Sequence, residues 1–179
     1  MKAELAYFDQ HTRAAIDDAR ALFAALSPDR AVARPRPGAW SPAECLDHLT
    51  LTAEAFLLLF AVADGAPRSE RSYAPGWLGR WFLAQMDVPV KRGFPTKPNF
   101  VPRSTRSGAE SLAAFVRVYE LLLGRAPQLA ALDLCRIRVQ SPFAKWMSYP
   151  LGLVCYLIPA HCRRHLAQAR AAAGELGAA

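Results

Sequence analysis

Two short strings, Ser41-Pro42-Ala43-Glu44 and Ser107-Gly108-Ala109-Glu110, constrain this chain more than anything else in it, because each fixes where a helix starts and how its faces point. In such a capping box the serine hydroxyl accepts the backbone N–H of the third helical residue, and the glutamate at that position reaches back to the serine N–H. Two of the donors that a helix start leaves bare are thereby satisfied. Proline at the first helical position fits the earlier string, since its missing N–H would have had no helical partner. The strings predict helix two from Pro42 to about Asp64-Gly65 and helix three from Gly108 to a stop near Gly124 to Pro127.

Apolar residues stepping by threes and fours predict two further helices. Leu5, Phe8, Ala15, Ile16, Ala19, Leu22, Phe23 and Leu26 form one stripe, ended by Ser27-Pro28; the prolines of Arg34-Pro35-Arg36-Pro37-Gly38 then make a connector. The last helix begins around Pro150 to Leu153, ends at Gly174 or Gly177, and carries Val154, Leu157, Ile158, His161, His165 and Ala169 on one side. Helix three should bury Leu112, Phe115, Val116, Tyr119, Leu122 and Leu123. Between helices two and three, prolines from Pro67 to Pro102 leave only Trp77 to Asp87 for a short helix, and β signal is scarce throughout. The expected class is all-α: a four-helix bundle with a long irregular crossover, about 65–107, between helices two and three. A link of roughly 40 residues lets those two helices run parallel. With 179 residues, one domain over 1–179 is the expectation.

The apolar runs from Ala53 to Ala63 and Leu151 to Ala160 fall well short of the roughly 20 residues of a membrane span, so no membrane is expected. Met1-Lys2-Ala3-Glu4-Leu5 lacks the apolar stretch of an export signal. Cys45, Cys135, Cys155 and Cys162 form no C-x-x-C pair, which fits a reducing cytoplasm. The net charge of +7 comes from arginines scattered between Arg13 and Arg170, with no basic stripe and no DNA-binding signature. The pattern points away from nucleic acid.

Three of the four histidines are placed for chemistry. His161 and His165 lie one helical turn apart on the same face, and the capping-box phase turns His48 toward an interior shared with Cys45, Thr52 and Leu59. Three buried imidazoles without partners would be costly, and a shared cation removes that cost while leaving positions open for water or substrate. The alternative is three separate histidines, each satisfied by a nearby carbonyl. His11, beside Thr12 and Arg13, is expected at the surface.

Trp40-Ser41-Pro42-Ala43-Glu44-Cys45-Leu46-Asp47-His48-Leu49 and His161-Cys162-Arg163-Arg164-His165-Leu166-Ala167-Gln168 resemble the two signature segments of the DinB/YfiT-like superfamily, W-S-x-x-E-x-x-x-H-L and H-x-x-R-H-x-x-Q. The resemblance extends to helix order and crossover. It implies a four-helix bundle holding a divalent metal (Zn, Ni, Fe or Mn) on His48, His161 and His165. Relatives of this kind include thiol-dependent S-transferases, maleylpyruvate isomerases and hydrolases. The expectation is a metal-dependent thiol S-transferase or hydrolase acting on a small molecule, with a low-molecular-weight thiol as co-substrate and a homodimer as the plausible assembly. A non-catalytic metal-binding or stress-response module is the rival.

Glu44, one turn before His48, and Arg164 are the candidate catalytic residues, Glu44 as a base or an orienter of His48, Arg164 with Gln168 as a holder of an anionic substrate. Each has a simpler role open to it, as helix cap and as carbonyl partner. Asp47 should be a solvated carboxylate. Cys45 and Cys162 are either ligands or nucleophiles, or small apolar core residues. Trp77, Trp81, Phe82 and Trp146 should form walls over the bundle end, and the segment from Trp77 to Phe100 should choose the substrate.

Overall fold

A computed structural model of the chain describes residues 1–61, 66–89, 95–103, 105–144 and 146–177. Among them helix dominates: α1 (Ala3–Ala24), α2 (Pro28–Val32), α3 (Pro42–Phe60), α4 (Trp77–Met86), α5 (Gly108–Arg125) and α6 (Leu151–Gly177). Both capping boxes form. Ser41 and Ser107 accept from the N–H groups of Glu44 and Glu110 at 3.2 and 3.3 Å, and both carboxylates accept from the serine N–H at 2.8 Å. α3 is helical as far as Phe60, and the expected stop at Asp64-Gly65 lies outside the described residues.

The four long helices pack pairwise, α3 on α5 and α6, and α1 on α5 and α6. Their shared core joins Leu5, Phe8 and Ile16 to Leu46, Leu49 and Phe56, to Phe115, Tyr119 and Leu122, and to Val154, Ile158 and Leu166. Each such side chain stabilises by about 1.5–3 kcal/mol when withdrawn from water. On α5 the buried stripe runs through Ser111, Phe115, Val118 and Leu122, so Val118 and not Val116 is fully covered. That spacing follows the 3.6-residue turn, and it leaves Leu112 and Val116 at the edge of the stripe.

Two short features were not expected. Ser27-Pro28 follows the end of α1 but also opens α2, with the Ser27 hydroxyl accepting the Arg30 N–H at 3.4 Å. An antiparallel pair, β1 (Arg138–Gln140) and β2 (Ser148–Pro150), sets Val139 opposite Tyr149 just before α6. Tertiary ties fix the connectors. Arg36 pairs with Glu175 at 2.8 Å, Arg30 donates to the Ala173 carbonyl at 2.7 Å, and Gly38 turns the chain with φ of +79°, open to glycine without strain. On the other side the Tyr73 N–H donates to the buried Glu4 carboxylate at 2.9 Å. Tyr73 lies so flat on α6 that a Cβ at Gly152 would come within 2.4 Å of its ring. No helix among the described residues is long and apolar enough to cross a membrane.

Candidate metal centre and its cavity

One stripe of α6 faces a cavity of about 590 Å³ through Leu157, His161, Arg164, His165 and Gln168. The intervals of four, three, one and three residues keep all five on one side of the helix. α3 adds His48 and Phe56, and α4 adds Phe82 and Met86. The turn at Pro98–Phe100 and the segment before β2 close the walls with Lys97, Phe100, Phe143, Trp146 and Met147.

His48, His161 and His165 meet at one end of this cavity, each able to offer one nitrogen, with those nitrogens all within 4.8 Å of one another. The Nε2 atoms of His48 and His161 are 3.4 Å apart. Nitrogens on a tetrahedral cation with bonds of 2.0–2.1 Å would be separated by roughly 3.3 Å, so this edge already has the required length. The outer nitrogens are occupied. His48 Nδ1 lies 2.7 Å from the Phe100 carbonyl and His165 Nδ1 lies 3.0 Å from Gln168 Oε1. Carbonyl oxygens only accept, so both Nδ1 atoms carry the proton and both Nε2 atoms present lone pairs inward. Carbonyl partners of this kind orient metal-binding imidazoles.

Burial keeps the rings neutral. It pushes His48 down despite the opposing bond to Phe100, and pushes His165 down to about 3, with His48 and Arg164 adding to the effect. His161 is driven well below the ordinary histidine value by burial and by the charges His165, His48 and Arg164 would place beside it. Neutral imidazoles converging at cation-sized spacing fit a divalent metal. Trp40 covers the group from outside, its ring 4.9 Å from His48 and 6.0 Å from His165.

The other candidates divide between this cavity and partners outside it. Glu44 accepts from Arg34 Nε at 2.9 Å and from the Ser41 N–H. Burial would raise its pKa, but the Arg34 and Ser41 bonds outweigh that and hold the carboxyl below its usual range. It acts as a helix cap and ion-pair partner. Asp47, expected in solvent, is buried and bonded to Arg106 Nη1 at 3.1 Å, because the residues before α5 return across α3 at that point. Arg164 lines the cavity and donates from Nη1 to the Gln85 carbonyl near the end of α4, at 3.0 Å. Gln168 serves His165. Cys45 and Cys162 are buried, and burial pushes both thiols up to about 12. Phe82 and Trp146 line the cavity, whereas Trp77 and Trp81 are exposed and not part of its lining. His11 is half-buried against Tyr7, ring centres 4.0 Å apart.

Trp40, Phe143 and Met147 escaped the sequence reading as site residues, whereas Lys97 and Phe100 belong to the Trp77 to Phe100 segment expected to choose the substrate, without having been singled out. Only Trp40 carried a signal, at the position before an N-cap where an apolar side chain packs over the first turn. A sequence model of the DinB superfamily matches residues 11–169. No curated protein and no solved structure matches the chain.

Proposed function

Since the chain belongs to the DinB superfamily, we propose that it is a divalent-metal-dependent enzyme for a small-molecule substrate, of the thiol S-transferase or hydrolase type, with the cation on Nε2 of His48, His161 and His165. The observation that carries this reading is the convergence of three neutral imidazoles in the cavity wall, two with the outer nitrogen already bonded to a carbonyl oxygen. We take the chain as one domain over 1–179, a four-helix bundle of α1, α3, α5 and α6 with the crossover at about 65–107. The packing of α1 and α3 each on both α5 and α6 supports that architecture.

The chemistry a divalent cation supplies in such a place is acidification of a water or thiol at neutral pH. This chain's residues do the rest. Phe100 and Gln168 hold the ring orientations of His48 and His165. Trp40, Phe56 and Phe143 keep bulk water from the reacting end, and Arg164 brings a fixed positive charge one turn from His161. Zn, Ni, Fe and Mn are all within the reach of three imidazoles, and metal analysis decides among them.

The test is metal analysis of untagged protein purified without added metal, followed by thermal melts with each cation. About one equivalent of metal is expected. At a hundredfold excess over Kd, binding should add about 2.7 kcal/mol, or roughly 5–10 °C of melting temperature. His161→Ala should abolish the shift. A wild-type protein with neither bound metal nor any shift would overturn the reading. Thiol transfer from glutathione, mycothiol or bacillithiol to an electrophile, measured on the loaded protein, separates transferase from hydrolase.

A further inference from the structure

The cavity has a one-sided charge. Among the described residues its lining contains two formally charged side chains, Lys97 and Arg164, both positive, and no aspartate or glutamate. Three carboxylates on neighbouring elements are engaged by other arginines, Glu44 by Arg34, Asp47 by Arg106 and Asp87 by Arg163, while Glu54 of α3 is exposed. Three uncharged imidazoles also leave the charge of any cation they hold uncompensated by protein. Away from this pole the wall is aromatic and preassembled. Phe143 packs on Phe100 with ring centres 4.8 Å apart and on Phe56 at 5.4 Å, while Phe82, Met147 and Leu157 continue the apolar surface.

A volume of about 590 Å³ suits a molecule of drug or metabolite size. An uncharged apolar ligand would forgo the attraction of half-buried Arg164 and of Lys97, which is exposed to solvent. A small polyanion would leave the aromatic wall uncovered and set its second charge against it. From this polarity we propose that the site takes an amphiphilic monocarboxylate, an aromatic or branched aliphatic body with one carboxylate end. The carboxylate lies toward Arg164 and Lys97, and the body lies against Phe56, Phe100 and Phe143. The inference deepens the metal-enzyme reading, on which its cation contribution rests, while the two basic side chains act without any metal.

The test is titration calorimetry of the full chain, in EDTA and after zinc loading, with phenylbutyrate, the uncharged phenylbutanol, and succinate. Phenylbutyrate should bind about tenfold more tightly than either comparator even in EDTA, with a wider margin after zinc loading. Lys97→Gln and Arg164→Gln should each weaken phenylbutyrate about three- to tenfold and leave phenylbutanol unchanged. Because Arg164 also braces the Gln85 carbonyl, Arg164→Lys, which keeps the charge, should restore most of the preference. The wild-type comparison needs no substitution at all. Equal binding of phenylbutanol, preference for succinate, or no binding of any probe overturns the proposal. Retained preference for phenylbutyrate in a chain that binds none of zinc, nickel, iron and manganese sinks the metal reading and supports this one. Zinc binding without that preference does the reverse.

Discussion

Reactivity at single residues follows from what surrounds each side chain. Cys45, Cys155 and Cys162 are buried, and loss of solvation raises all three thiols, the first and last to about 12. Only Cys135 is partly open to solvent. A thiol reagent added to native protein at mildly alkaline pH should therefore label one cysteine rapidly and the other three only on unfolding. Peptide mapping that found fast labelling of Cys162 would contradict the packing. Glu44→Ala should cost about 1 kcal/mol through loss of the cap and leave metal affinity within about twofold, as denaturation and metal titration can show. The histidines were legible because an i,i+4 pair and a phased helix define directions without knowledge of the whole fold. The partners of Glu44 and Asp47 were not, since Arg34 and Arg106 reach them only after loops have turned back.

Among elements, α4 combines apolar packing through Phe82, Leu83 and Met86 with polar ties at its far end. None of its residues is fully buried, yet Phe82 and Met86 wall the cavity. Adjacent arginines of α6 hold its far end, Arg163 Nε on Asp87 at 2.8 Å and Arg164 on the Gln85 carbonyl. Arg163→Gln should speed amide exchange across Trp77–Met86 by about ten- to a hundredfold while α3 and α6 keep their protection. Uniform loss of protection would mean that Arg163 supports the core instead. Elements with two agreeing signals, a cap and a long apolar stripe, were readable in advance, as α3 and α5 demonstrate. α2 offered only Ser27-Pro28, which also reads as a stop, and the strands of β1 and β2 are too short for any period to register.

For the molecule as a whole, the neutral histidines tie stability to pH. Burial lowers His48, His161 and His165 in the folded chain, whereas the same rings titrate near 6.5 once unfolded. Below that value the unfolded state binds more protons, so stability is full above about pH 6.5 and declines as pH falls toward the folded values. Denaturation in EDTA between pH 7 and pH 5 should show a loss approaching about 1.4 kcal/mol per pH unit for each such histidine. A His165→Gln variant should show a shallower slope, and a slope unchanged by that substitution would refute the assignment. The bond from His48 to the crossover has a different implication, for transplantation. Because the group at position 100 is a main-chain carbonyl, any residue can supply it, and only its register along the chain matters. Foreign crossovers could then be grafted between α3 and α5 to change which molecules enter. Such grafts would spare the histidine geometry so long as their lengths return a carbonyl to the same point, whereas one inserted residue before it would do more harm than many replaced side chains.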